Sequence, residues 1–325
     1  LRTVSDKLNE SVTVLDFGAV QGVTGTNITL ALSEAISDIF GNGRGTWDSQ
    51  DVADGRRLLK IPAGHYIVSN CTNLPPHTML VGEGSGLTTL TFNNTTTSVF
   101  RTVDADGDAW NSGAMSTGVK RARDVVIKGM TIEYAATATS NNPLISLDNV
   151  LNASIDDVEF RTQIDPASTT TYGLVTHGIG IGFRGTGNGP GAGDANLCEN
   201  VEIKNCRFDS LLIGVEGTGS VIRSFISNNK FNNLNQGVKL HSEDTIPAPS
   251  NAYILSNRFQ NVVNEAIFVG TQATATNHIS ENNFFIQVGN GSTLDDTTSS
   301  TASAVISFLS PGNKSINDHF ERKVV

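Results

Sequence analysis

Alternating apolar and polar residues, broken at intervals by Asn and Phe, dominate the chain between Glu199 and Gly289. Four segments share the pattern: VEIKNCRF ending at Phe208, FISNNKF at Phe231, YILSNRF at Phe259 and HISENNF at Phe284, with spacings of 23, 28 and 25 residues. ASIDDVEF at Phe160 and SINDHF at Phe320 are related to them. The apolar residues recur at period 2, which suits a strand with one buried face and excludes a helical solenoid. A unit this short cannot bury its own face and must stack on its neighbours. Coils of roughly 20 to 30 residues with two or three short strands each predict an all-β fold, a right-handed parallel β-helix. Asn205, Asn228, Asn229, Asn257 and Asn282 precede the Phe positions. They suit tight turns in left-handed conformations, and stacked they form an internal ladder of amides. Eight residues after Phe208, Phe231 and Phe259 come Glu216, Lys239 and Ile267, with Phe268 one step beyond.

The rest of the chain divides around this body. Residues 1–13 are polar and read as a connector to something upstream. Residues 14–57 form an N-terminal cap. In it VLDFGAV reads as a short strand ending in a glycine turn, and a Gly/Asp-rich loop follows from 41. Between them, apolar residues at 28, 32, 35, 36, 39 and 40 recur at three and four, which predicts an amphipathic helix stopped by Gly41. Such a helix covers the open end of a solenoid. The β-helix is expected over 58–325, with tight glycine turns at 82–86. Two excursions interrupt it, at 103–123 and at about 161–198. The second holds nine glycines between Gly173 and Gly193 and reads as a loop that wraps the flank or contacts a partner.

Composition narrows the picture. Only 17% of residues are charged, and the net charge is -10 over 325 residues. That balance argues against nucleic acid, and against an anionic polymer unless a local basic patch or a cation intervenes. The three cysteines, Cys71, Cys198 and Cys206, give no disulfide framework and no metal-ligand spacing; Cys206 reads as a buried filler in the repeat. No apolar run approaches the length of a membrane span, and no export signal is visible. No cofactor is called for. Gly180-Ile-Gly182-Phe-Arg-Gly185 matches a dinucleotide motif without its strand–helix context. Asp104-Ala-Asp106-Gly-Asp108 departs from a calcium loop in the place of its glycine.

The opening carries a resemblance. TVSDKLNESVTVLDFGAV, then LSEAISDI, LLKIPAGHYIV, TMLVGEG and SGLTTL, resemble the pectate-lyase-like β-helix proteins of tailed-phage tailspikes and tail fibres over residues 3–92. The resemblance implies a homotrimer on a virion tail that binds or cuts host surface polysaccharide. It also implies that the connector joins a particle-attachment part and other tail or baseplate proteins. GAVQGVTGTN lacks the paired Asp of that family's turn, which weakens a cation or structural-acid role there.

Hydrolysis of a glycosidic bond needs two carboxylates at a fixed separation, and a β-helix can set them on adjacent coils about 4.8 Å apart. Glu216 and Lys239 share a column, His241 faces the same way, and Glu243 ends the strand. Glu216 and Glu243 are therefore the candidate acid pair, with Lys239 and His241 as saccharide contacts and Trp47 and Trp110 as sugar-stacking platforms. No metal is assigned. The same residues also suit a solvated face with ordinary salt links. A lyase would instead use Lys239 or His241 as base, with Arg207 or Arg223 nearby. Asp148, Asp156, Asp157 and Asp165 form a rival acid cluster one or two coils earlier, with Asp157 and Glu159 spaced for one face. His65 and His177 read as structural. A receptor-binding or structural protein with no catalysis stands beside the hydrolase.

Overall fold

The computed structural model describes residues 12–20, 26–40, 58–104, 121–136, 140–163, 177–186, 197–242, 249–270, 276–288, 305–309 and 312–321. Every strand pairing within them is parallel, and each strand pairs with one in the next coil. Two sheets of 18 and 8 strands result, and the larger is folded along a corner into two faces. The architecture is the expected parallel β-helix, three-sided, with the apolar side chains of all three faces filling its interior.

The corner explains the Asn motif. Gly129, Asp157, Asn205, Asn228, Ser256, Asn282 and Asn317 occupy one column there, all with φ between 50° and 65°. Asn and Asp tolerate that left-handed conformation better than branched residues. After each corner from Asp157 onward one residue points inward, one outward, and the next is the aromatic, where the corner at Gly129 has Ile132 instead. Phe160, Phe208, Phe231, Phe259, Phe285 and Phe320 stack in sequence, with centroids 4.6–5.1 Å apart and planes within 11°. Burying a ring fully, as at Phe208, Phe231 and Phe259, is worth about 2–3 kcal/mol.

Two expectations are corrected here. Phe285, not Phe284, continues the stack, because counting from corner Asn282 turns Phe284 outward. The internal ladder is Asn229, Asn257 and Asn283, whereas Asn205, Asn228 and Asn282 are corner residues. Along the ladder each backbone N–H donates to the side-chain oxygen one coil on: Cys206 to Asn229 (2.8 Å), Asn229 to Asn257 (2.9 Å), Asn257 to Asn283 (2.8 Å) and Asn283 to Asp318 (2.8 Å). Cys206 is the buried filler foreseen, heading this column.

The helix runs Thr29–Phe40 and buries Ala31, Leu32, Ala35, Ile36 and Phe40. These join Val14, Leu59, Ile61 and Leu74 in the core. Its start is tied down, since Asn27 accepts the Thr29 N–H (3.0 Å) and the Thr29 hydroxyl accepts the Ser69 N–H (2.8 Å). VLDFGAV is not a strand. Val14–Phe17 is a 3-10 turn, held by the Thr13 N–H donating to Asp16 (2.8 Å) and closed by Gly18 at φ 89°. Local side-chain bonding has won over extended pairing. Gly84 and Gly86 take the positive φ foreseen for the 82–86 turn.

The excursion at 161–198 contains a core strand, Ile179–Gly185. Its glycines are demanded by close approach rather than by flexibility. A Cβ on Gly180 would fall 2.7 Å from the Phe208 ring, and one on Gly185 would fall 2.0 Å from the Ser220 carbonyl oxygen. This strand completes the third face, which runs Thr72–Leu74, Phe100–Thr102, Pro143–Asp148, Ile179–Gly185, Ile213–Gly219, Gln236–His241, Ile267–Val269 and Ile306–Phe308.

Candidate functional site

Alternation along the third face sends Val215, Gly217, Val238 and Leu240 inward and leaves Glu216, Thr218, Lys239 and His241 outside. Two outward columns follow from the register. One reads Arg101, Ser146, Gly182, Glu216, Lys239, Phe268; the other reads Asp148, Arg184, Thr218, His241. Lys239 pairs with Phe268 and not with Ile267, because the turn after Val262 holds one residue more than its counterparts.

Glu216, Lys239 and His241 meet as the sequence suggested. The Lys239 Nζ donates to Glu216 Oε1 at 3.1 Å, and His241 Nε2 lies 3.0 Å from the same oxygen. His241 Nδ1 faces the Ser242 carbonyl at 3.1 Å. Both ring nitrogens thus face acceptor oxygens. Glu216 Oε2 takes no hydrogen bond from the described residues. Burial alone would raise this carboxyl's pKa, but the bond to His241 and the Lys239 charge outweigh it and hold it below its ordinary value. Glu216 is an anion with one oxygen anchored by two partners.

That anion lies at one end of a cavity of about 290 Å³. Arg101, Ser146, Asp148, Gly182, Arg184 and Thr218 line its floor, and Thr96–Ser98 with Asn142 and Pro143 form one wall. Asp148, placed by sequence in a rival cluster, belongs to this same groove. It is almost fully buried and accepts from the Ser146 hydroxyl at 2.7 Å. Arg184 sits between Asp148 and Thr218 in its column. Two carboxylates, two guanidinium groups and several hydroxyls in one concave surface match the hydroxyl-rich and carboxylate-bearing chemistry of saccharides.

Other candidates fall elsewhere. Glu243, Trp47, Trp110 and Asp165 lie outside the described residues. Asp156 pairs with Lys128 (3.0 Å) on the first face, while Asp157 is a corner residue and Glu159 lies on the second face. The corner breaks the alternation that had put Asp157 and Glu159 together. Arg223 pairs with Glu199 at another corner, and Arg207 lies on the second face. Glu265 accepts from Gln236 at 2.9 Å, one coil apart on the third face. Among the described residues no group of three His, Cys, Asp or Glu is placed to hold a metal ion. None of their helices is long and apolar enough to cross a membrane. Asp148 and Arg184 were missed as groove residues because the strand that aligns them, Ile179–Gly185, was read as loop.

Comparison with known proteins follows the fold. The chain is similar to ORF18 of Geobacillus virus E2 at 15% identity and a TM-score of 0.57, over 88% of this chain and 55% of that one. It is similar to a mutant tailspike protein of E. coli bacteriophage HK620 in complex with a pentasaccharide, at 15% identity and a TM-score of 0.55, over 99% of this chain and 59% of that one. The A-module of the Azotobacter vinelandii mannuronan C-5 epimerase AlgE6 matches at 15% identity and a TM-score of 0.52, over 86% of this chain and 71% of that one. The chain therefore spans little more than half the length of the two phage proteins. No match to a curated protein was found by sequence. Residues 11–258 match the family described as Rhamnogalacturonase A/epimerase, pectate lyase-like, and the chain belongs to that pectate-lyase-like family.

Proposed function

We propose that the chain is the β-helix body of a phage tailspike or tail fibre that binds host surface polysaccharide in the Glu216 groove and hydrolyses it there. The observation that carries this reading is the anchored, ionised Glu216 sharing a polar groove with Asp148. An ionised carboxylate with a free oxygen suits a base that activates water, and a second, nearly buried carboxyl suits the acid for the leaving oxygen. The two stand two coils apart, roughly 10 Å of backbone, which leaves room for water and favours inversion over retention. Asp148 thereby takes the role expected of Glu243. Lys239 and His241 both spend hydrogen bonds on Glu216, which favours hydrolysis over a lyase that needs one of them as a free base. The likeness to a phage tailspike supports the tail assignment, and the sequence resemblance implies a homotrimer on the virion.

The test is incubation of the purified chain with capsule, lipopolysaccharide and exopolysaccharide from a bacterial panel, followed by mass spectrometry of released oligosaccharides. Saturated fragments are expected, lost in Glu216→Gln and in Asp148→Asn. Unsaturated ends would overturn hydrolysis. Retention on one surface with no fragments would leave the second reading, an adhesin that uses the same groove for binding alone.

A further inference from the structure

The second face carries outward columns of its own. One runs Glu159, Arg207, Lys230, Arg258, Phe284, His319, and beside it run Arg161, Asp209, Asn232, Gln260. Toward the N-terminal end the charges neutralise one another. Glu133 accepts from Arg161 at 2.7 Å, Glu159 lies 3.7 Å from Arg207, and Asp209 accepts from Arg207 at 2.9 Å. The balance then changes, because the neighbouring column passes from carboxylate at Asp209 to amide at Asn232 and Gln260. Arg258 donates to the neutral Gln260 Oε1 at 3.1 Å, and Lys230 makes no ion pair among the described residues. Both cations are exposed. One coil further on, Phe284 stacks on His319 with centroids 4.7 Å apart and planes 4° from parallel.

We propose that Lys230 and Arg258, with the amides of Asn232 and Gln260 and the Phe284–His319 rings, form a second binding track for an acidic glycan. Two like charges stacked about one coil apart, about 4.8 Å, repel each other until an anion bridges them. A carboxylate or phosphate group of an extended glycan supplies that anion. Its uncharged hydroxyls meet Asn232 and Gln260, and a sugar ring lies against the aromatic pair. Nucleic acid fits less well. The track has two unneutralised cations, with Asp209 at one end and Glu321 beside the other, and a phosphate at every nucleotide would meet those carboxylates. The chain's net charge of -10 also works against a densely charged polyanion. The track lies on a different face from the Glu216 groove and does not depend on it.

The experiment measures binding of the 325-residue chain to a uronate polymer, a sialate polymer, a phosphodiester-linked teichoic acid, neutral dextran and double-stranded DNA, at low and raised salt. The expected result is binding to at least one acidic glycan, weakened by salt and weakened tenfold or more by Lys230→Glu with Arg258→Glu. Lys128→Gln, which alters a cation of the first face paired with Asp156, should leave that binding unchanged, which separates this track from the charge of the chain at large. If charge reversal prevents folding, judged by circular dichroism, Lys230→Gln with Arg258→Gln provides the same comparison. No binding to any acidic glycan, equal binding to dextran, binding indifferent to these variants, or tighter binding to DNA would each overturn the proposal. Selectivity among the three acidic polymers identifies carboxylate or phosphate as the recognised group.

Discussion

At Glu216 burial and charge pull in opposite directions, and the cations prevail. The folded-state value lies below the ordinary one, so this cluster's stabilisation is present above the ordinary carboxylate range and disappears as pH falls through the folded value. Removing the ammonium in Lys239→Met leaves burial less opposed. The carboxyl's pKa should then rise, moving the acid limb of a pH profile for saccharide binding or release to higher pH. An unmoved limb would mean that another group titrates. His278 shows the reverse case. It is fully buried, accepts the Ala252 N–H at Nδ1 (3.2 Å) and donates from Nε2 to the Pro249 carbonyl (3.0 Å). A neutral ring satisfies both bonds, whereas protonating Nδ1 breaks one, and burial pushes the pKa down to about 4. The unfolded chain then binds the extra proton first, so stability falls as pH drops from about 6.5 toward about 4, by on the order of 3 kcal/mol. Urea midpoints at about pH 7 and pH 4.5 should show this loss, and His278→Gln should reduce it. The Glu216–Lys239–His241 grouping was legible because it depends on counting within two adjacent repeats. Asp148 and Arg184 needed the register of a glycine strand whose close contacts only the fold displays.

At the level of the coil, sequence and structure agree where side-chain size enforces the count. The Phe spacing could be read because each ring must meet the next. Ser-Glu-Asn-Asn-Phe-Phe was ambiguous, since either Phe satisfies a period-2 pattern until the corner is fixed at Asn282. The same corner decides between paired Asn residues: the first bends the chain and the second enters the core. Asn257 illustrates what entry is worth. Its oxygen accepts the Asn229 N–H (2.9 Å), and its amide donates to the Ile226 carbonyl (2.8 Å) and to Asn283 Oδ1 (3.0 Å). Asn257→Ala leaves the Asn229 N–H buried without its acceptor and opens a small void. The expected cost is about 2–4 kcal/mol, read as a lower urea midpoint with an unchanged m-value. Asn228→Ala removes a corner residue and no ladder bond, so its cost should reflect only the left-handed backbone, about 1 kcal/mol. Equal losses for the two would deny the ladder its role.

Across the whole molecule the coils form a one-dimensional chain of interfaces. Stability is then a sum of coil terms and nearest-neighbour terms, and position along the axis matters as much as residue type. The Phe column tests this with one side chain in two settings. Phe231 is fully buried between Phe208 (4.8 Å) and Phe259 (4.6 Å). Phe320 is 53% exposed and stacks on Phe285 (5.0 Å). In the 325-residue chain, Phe231→Ala removes two ring contacts and leaves a cavity that neighbouring coils cannot close without shifting their hydrogen-bonded register. A loss of about 3–5 kcal/mol is expected. Phe320→Ala removes one contact from a site already half in water, and should cost about 1 kcal/mol or less. Hydrogen exchange should carry the same gradient, with slow amides in the coils around Phe208 to Phe259 and faster ones in Lys314–Ile316 and His319–Glu321, whose residues are exposed. Phe231→Ala should speed exchange on both sides of its coil, whereas Phe320→Ala should leave the coils before Phe259 unchanged. Uniform acceleration by both variants would mean that the body unfolds as a single cooperative block, and the nearest-neighbour description would fail.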